Sequence, residues 1–117
     1  MVDSSAWLED LCDTERADLF AEAIEKPAEL VVPSICLYEV GKKVSREFGE
    51  DAAAQIYALM SMGTVVDLDA SLAMDAAAHH LPLADSIIYE TALRYRAVLW
   101  TQDAHFDGLS NVKYFSK

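Results

Sequence analysis

A chain of 117 residues that is 53% hydrophobic, with four Gly and three Pro, has the composition of one folded domain rather than a disordered segment. Its formal charge of −11, from twenty acids against nine Lys and Arg, argues against a broad nucleic-acid surface built on basic residues. No apolar run approaches the ~18 residues of a membrane span, and the first residues lack the basic and apolar regions of a signal peptide, so a cytoplasmic location is expected.

Residues 1–3 read as a clipped first strand, and residues 4–11 and 14–25 as two helices, the second ending before Pro27, whose ring does not continue a helix. Leu30, Val31 and Val32 form a short apolar strand, after which Ser34 is placed to cap a helix over 35–48. Gly49 separates this helix from another over 50–62, and a third strand follows at 64–68. Helices over 71–80, stopped by Pro82, and 85–96 precede a fourth strand at 97–101 and a fifth at 112–115. Short continuous apolar strands alternating with helices predict an α/β domain over residues 1–117. Its central sheet, mainly parallel and of about five strands, is covered by helices on both faces, giving three α/β/α layers. There is no internal repeat, low-complexity stretch or linker.

Four carboxylates stand where these apolar segments break: Asp3, Glu39, Asp85 and Asp103. Their neighbours are Val, Leu, Ile and Trp, among which a carboxylate is costly unless paired or metal-bound. In open α/β sheets ligands bind beyond the carboxyl ends of the strands. Asp3 and Asp103 directly follow strands one and four, Asp85 starts a helix, and Glu39 lies about one turn into the helix after strand two. All four are therefore placeable at one sheet edge. Gathered there they would repel one another, and a hard divalent cation would relieve the repulsion.

Taken singly, each acid has a plainer role. Asp3 suits a helix cap, Asp85 a helix start where the macrodipole favours an anion, and Asp103 a turn. On a helical wheel Leu37, Val40, Gly41, Val44 and Phe48 form the core stripe, with Glu39 on the other side beside Ile35, Lys42, Lys43 and Arg46. Glu39 is then either an i,i+4 partner of Lys43, worth a few tenths of a kcal/mol, or a carboxylate facing a cleft. Hydroxyls flank the acids: Ser4 and Ser5 after Asp3, Ser86 after Asp85, Thr101 before Asp103. Such groups orient metal-binding carboxylates, and they also serve as caps.

Other chemistries find less support. His79 and His80 are adjacent, and on a helix they point about 100° apart, a poor arrangement for one metal. Cys12 and Cys36 share no metal or redox spacing and are expected as reduced core residues. No nucleophile elbow or glycine-rich phosphate loop is present. Charge is unevenly spread: nine acids fall in the first 29 residues against Arg16 and Lys26, whereas Lys42, Lys43 and Arg46 cluster just after Glu39. That asymmetry predicts an acidic face for a basic partner and a small basic patch elsewhere.

In this order the motifs resemble a PIN-domain protein of the VapC toxin type, the ribonuclease half of a toxin–antitoxin pair. Val2-Asp3-Ser4-Ser5-Ala6-Trp7-Leu8-Glu9 is similar to the family's opening motif, and Pro33-Ser34 through Tyr38-Glu39-Val40 to its second. Leu81-Pro82-Leu83-Ala84-Asp85-Ser86-Ile87-Ile88-Tyr89 is similar to the third and Leu99-Trp100-Thr101-Gln102-Asp103-Ala104-His105-Phe106 to the fourth. The four acids are spaced by 36, 46 and 18 residues, intervals like those of the family. The N-terminus departs from the pattern, because family members often carry a few more residues before the first Asp.

The resemblance implies metal-dependent endonucleolytic cleavage of RNA. Asp3, Asp85 and Asp103 would hold Mg²⁺ or Mn²⁺, and Glu39 would orient or deprotonate the attacking water. Ser4 and Thr101 would support the acids, and Lys42, Lys43 and Arg46 would guide the RNA backbone. His105 and Phe106 would be structural. A basic antitoxin and a homodimer are implied as partners, and Trp7, Leu8, Leu11, Leu19 and Phe20 on the first two helices are expected to form the antitoxin's groove. Three alternatives stand beside this reading. A phosphoreceiver-like domain would need an acidic pair after strand one and a Lys after the last strand; here serines follow Asp3 and Lys113 lies within strand five. A catalytically silent PIN-fold binding module would not need the full set of four acids. A haloacid-dehalogenase-like phosphatase would need Asp-x-Asp, which Asp3-Ser4-Ser5 lacks.

Overall fold

A computed structural model describes residues 1–11 and 15–116. Val2 forms a parallel bridge with Trp100, and the next residue, Asp3, turns its carboxylate onto the Ala6 amide (Oδ1 to N 3.0 Å). That bond satisfies a free amide donor and starts helix α1 (Ser4–Leu11). The first strand is therefore a single bridge, because Asp3 leaves the ladder to cap the helix. Helix α2 (Ala17–Ile24) buries Ala17, Phe20 and Ile24, spaced for one face, and leaves Asp18 and Glu22 in solvent. Pro27 opens a 3₁₀ turn, Pro27–Glu29, that leads into strand β1 (Val31–Pro33).

Helix α3 (Ser34–Phe48) already includes Ser34, and Pro33 occupies the cap position without a side-chain bond. The expected Ser34 cap is thus not formed: the extended Pro33 backbone carries the chain straight from strand to helix. Gly49, at φ +93°, makes the turn into α4 (Glu50–Met60), a conformation costly for a residue with a side chain. Strand β2 (Thr64–Val66) follows a turn at 61–63 and pairs parallel with β1, Val32 opposite Val65. Helix α5 (Ala70–Ala76) is capped by Asp69, whose carboxylate accepts from the Leu72 amide at 2.8 Å. It is shorter than its apolar pattern suggests, ending at Ala76, and His79 beyond it lies 2.9 Å from Glu90.

Helix α6 (Leu83–Arg94) starts after Pro82 and ends before Arg96, whose left-handed φ of +51° turns the chain into β3 (Leu99–Thr101). A second 3₁₀ turn, Ala104–Phe106, precedes β4 (Val112–Tyr114), which lies parallel to β3 with Trp100 opposite Lys113. The domain is α/β with parallel pairing throughout, in two ladders of three-residue strands plus the Val2 bridge, fewer strand residues than expected among those described.

The main core holds most elements together, with Trp7, Phe20, Met60, Ile88, Leu99 and Phe106 all but removed from water, and a smaller cluster of Leu72, Ala76 and Ile87 joins α5 to α6. On α3 the buried stripe is Cys36, Val40 and Val44. Phe48, expected in that stripe, is 61% exposed because it lies in the helix's last turn, beyond the core. Helix α6 is buried around much of its circumference from Ser86 to Ala92, and Tyr89 anchors it by donating to the Ser110 carbonyl at 3.0 Å. This rigid helix carries Asp85. No helix among the described residues is long and apolar enough to cross a membrane.

Candidate active site

Asp3 is the most buried of the four acids, 3% exposed. Its carboxylate accepts from Ser5 Oγ (3.0 and 3.1 Å), the Ala6 amide (3.0 Å) and Thr101 Oγ1 (2.8 Å). The Thr101 hydroxyl has one proton and gives it to Asp3, so it receives the Asp103 amide proton on its lone pair at 2.9 Å. A single side chain thereby ties the Asp103 backbone to the Asp3 carboxylate. Parallel pairing makes this possible: the Val2–Trp100 bridge sets Asp3 beside the end of β3. Burial pushes the Asp3 carboxyl up to about 6, outweighing the hydrogen bonds that favour its charge, and the nearby Asp103 pushes the same way.

Glu39, half-buried on α3, accepts from Ser4 Oγ at 2.7 Å. Its expected alternative partner, Lys43, is paired instead with Glu47 at 3.7 Å. Adjacent serines at the start of α1 thus serve two different acids, Ser4 on Glu39 and Ser5 on Asp3. Asp85 projects from the first turn of α6, and Asp103 caps the 3₁₀ turn by accepting from the His105 amide at 2.9 Å. The His105 ring then folds back over both: Nδ1 lies 2.9 Å from Asp85 Oδ2 and 3.1 Å from Asp103 Oδ1. One donor atom from each of the three residues falls within 4.8 Å of the others.

The electrostatics show the acids acting on one another. The Asp85 carboxyl is raised first by burial, then by the Asp103 charge, with Glu39 adding to the shift and His105 opposing it. Cys36 feels Asp3, Glu39 and Asp85 together; burial above all, helped by these charges, pushes its thiol up to about 12. Cys36 is therefore a neutral, unreactive core residue beside the cluster, as expected. Cys12 lies outside the described residues. The four acids are near enough to act electrostatically on one another, Asp103 on Asp3 and on Asp85 and Glu39 on Asp85, but among the described residues the group close enough to share an ion is Asp85, Asp103 and His105, with Asp3 and Glu39 outside it.

Several expectations are corrected. His105, expected to be structural, bonds two of the acids, and its ring nitrogen lies close enough to them to offer a ligand as well. Ser86 does not orient Asp85, since its hydroxyl donates to the Leu81 carbonyl at 3.0 Å and so stops α6 from sliding. Trp7 and Phe20 cannot line a docking groove, being 1% and 0% exposed in the core. Leu8, Leu11 and Leu19 are partly buried and pack against that same core. Of the basic patch, Lys42, Lys43 and Arg46 are all exposed on α3, with Lys43 beside Glu47 at 3.7 Å. Lys113, the residue a phosphoreceiver would need near its acids, lies instead over the Trp100 ring, 4.0 Å from its centroid. His79 is engaged with Glu90, away from His80.

The family model described as PIN domain matches residues 1–111. A solved structure described as a toxin–antitoxin complex from Klebsiella pneumoniae superposes with a TM-score of 0.83 at 20% identity, covering 99% of this chain and 98% of the other. No curated protein matches the chain.

Proposed function

Because this chain belongs to the PIN domain family, we propose that it is a divalent-metal-dependent endoribonuclease of the VapC toxin type, the toxin of a type II toxin–antitoxin pair. The observation that carries this reading is the convergence of Asp3, Glu39, Asp85 and Asp103, each anchored by its own helix or strand end and each held by a hydrogen bond to a neighbouring group. The donor set fits a hard cation: carboxylate oxygens in excess, with one imidazole, at a place where the acids otherwise repel one another.

Asp3, Asp85 and Asp103 would hold Mg²⁺ or Mn²⁺, which supplies Lewis-acid polarisation of the scissile phosphate and a lowered pKa for a bound water. Glu39 orients the attacking water and takes its proton, with Ser4 fixing one carboxylate oxygen and leaving the other to accept. Thr101 keeps Asp3 and Asp103 in register, and His105 steadies Asp85 against Asp103. Lys42, Lys43 and Arg46, all exposed on α3, receive the RNA backbone. A basic antitoxin is the partner proposed, on two grounds: the solved relative is a toxin–antitoxin complex, and the described acids of α2 and the following turn, among them Asp18, Glu22, Glu25 and Glu29, face solvent. The homodimer implied by the resemblance belongs to the same reading.

Mn²⁺ titrated onto the isolated protein is expected to raise its thermal midpoint, and excess chelator to reverse the rise. Absence of any shift would count against the metal site. Thr101→Val keeps the size of the side chain but removes the link between Asp3 and Asp103. It is expected to lower RNA cleavage about 10–100-fold, as loss of an orienting partner of metal ligands does. Unchanged cleavage in a steady-state assay would show that the hydroxyl does not position the acids.

A further inference from the structure

The His105 side chain is 58% exposed, and its ring still turns inward over Asp85 and Asp103. The 3₁₀ turn that carries it is fixed on both sides. Asp103 caps the turn through the His105 amide at 2.9 Å, and the wholly buried Phe106 seats it in the core. From this backbone Nδ1 comes to 2.9 Å from Asp85 Oδ2 and 3.1 Å from Asp103 Oδ1. Two neighbouring ligands of an octahedral ion, each about 2.1 Å from it, stand about 3 Å apart. Nδ1 therefore keeps, to both oxygens, the spacing of ligands in one coordination shell.

The other candidate ligands are differently disposed. Asp3 is 3% exposed, and Ser5 Oγ, the Ala6 amide and Thr101 Oγ1 already donate to its two oxygens. Asp103 Oδ1 accepts the His105 amide and keeps a second lone pair for an ion. His79 is held by Glu90 at 2.9 Å and packs against the Tyr89 ring, so His105 is the imidazole that meets the acids. The hydrogen bonds of Nδ1 to the two acids and a bond from Nδ1 to an ion between them use the same spacing. The second arrangement needs the ring proton on Nε2, where an exposed side chain can give it to water.

We propose that His105 Nδ1 is a direct ligand of the divalent ion, completing a set with Asp85 and Asp103, and that this nitrogen biases the site from Mg²⁺ toward Mn²⁺. The proposal rests on the metal-dependent reading above and names the ion's third protein ligand. Mg²⁺ takes oxygen ligands, whereas imidazole bonds better to the transition metals. Two carboxylates with one imidazole thus separate ions that an all-carboxylate set would hold more evenly. Asp3, outside the trio, acts on the ion through water and through its charge.

Electron-spin-echo spectroscopy of Mn²⁺ bound to the full chain is the test, because a nitrogen bonded to Mn²⁺ modulates the echo and an oxygen does not. The wild type is expected to show the nitrogen signal, His80→Gln to keep it and His105→Gln to lose it. Mn²⁺ affinity, read from the free-ion resonance, should fall in His105→Gln by at least the roughly 10–100-fold that loss of an orienting partner costs. Mg²⁺ affinity, read by competition, should fall much less. Bound Mn²⁺ without a nitrogen signal in the wild type, or a signal that survives His105→Gln, would overturn the proposal, and equal losses for the two ions would overturn the bias. Each of these results leaves a metal-dependent nuclease standing on its carboxylates. A wild type that binds no Mn²⁺ would remove the metal site and the proposal together.

Discussion

Replacing Trp7 with alanine is expected to cost about 3–5 kcal/mol, a large share of the roughly 5–15 kcal/mol by which a domain of this size is stable. Trp7 is 1% exposed on α1, the helix that also carries Ser4 and Ser5, and it is among the largest fully buried side chains. Truncation leaves a cavity under the first helix, and the groups around it relax only in part. Phe20→Ala belongs to the same class, since Phe20 is wholly buried and meets Phe115 edge-on at 5.4 Å between ring centroids. Phe48→Ala, at 61% exposure, is the internal control and should change stability by less than about 0.5 kcal/mol. Urea denaturation midpoints measure all three. A Trp7→Ala midpoint equal to that of wild type would put Trp7 back on the surface and revive it as part of a docking groove.

Asp3→Asn is expected to make the metal-free protein more stable at neutral pH while removing its activity. An ordinary aspartate carboxyl titrates near 3.8, and Asp3 in the folded protein near 6. The folded state therefore holds this proton more tightly than the unfolded chain does. Below about pH 4 the carboxyl is protonated in both states and costs nothing. Between about pH 4 and 6 the unfolded chain ionises first, so stability falls as pH rises, by on the order of 3 kcal/mol in total. Above pH 6 that loss is complete. Asparagine cannot ionise and removes the Asp3 part of this slope, although it offers Thr101 a poorer partner than a carboxylate oxygen and so recovers less than the full amount. The raised Asp85 carboxyl leaves a remainder of the same sign. Bound Mg²⁺ or Mn²⁺ should restore stability to wild type at pH 7.5 and do little for the variant. Denaturant midpoints at pH 5 and 7.5, with and without metal, decide the matter; a wild-type protein more stable at pH 7.5 than at pH 5 without metal would contradict it.

The two effects show why function and stability pull apart at this site. A carboxylate set that is well satisfied by hydroxyls and amides is still short of positive charge, because Lys43, Arg94 and Lys113 are engaged elsewhere. The His105 ring is the group placed to offset Asp85 and Asp103 directly.

Much of this arrangement was legible in the sequence, and for a reason. Asp3 and Asp103 each follow an apolar segment, and parallel pairing carries the ends of such segments to the same side. Glu39 and Asp85 lie in the first turns of helices that begin near that side, so order along the chain implied proximity in space. What periodicity could not supply were contacts between elements. A wheel drawn on α3 cannot tell that the core ends before Phe48, nor that Glu39 meets Ser4 and not Lys43. The helices of Trp7 and Phe20 carry acids beside their apolar groups, and only packing shows that both rings face inward. The contact of His105 with Asp85 was not legible, because it depends on a 3₁₀ turn folding the ring back over Asp103 and across to Asp85, 20 residues away in sequence. Ser34 and Ser86 were read from local preference, but Pro33 takes the cap position of α3 and the Ser86 hydroxyl goes to the Leu81 carbonyl instead of Asp85.

Cleavage of a mixed RNA panel by the wild type and by Asp85→Asn, in Mg²⁺ or Mn²⁺ and again in excess chelator, tests the central claim most directly. Loss of a metal ligand should remove several kcal/mol of transition-state stabilisation, so the variant is expected to be slower by about 10²–10³-fold or more. Chelator should abolish the wild-type activity, and added metal should restore it. Cleavage that survives chelation, or an Asp85→Asn protein as fast as wild type, would contradict a metal-dependent nuclease built on these four acids.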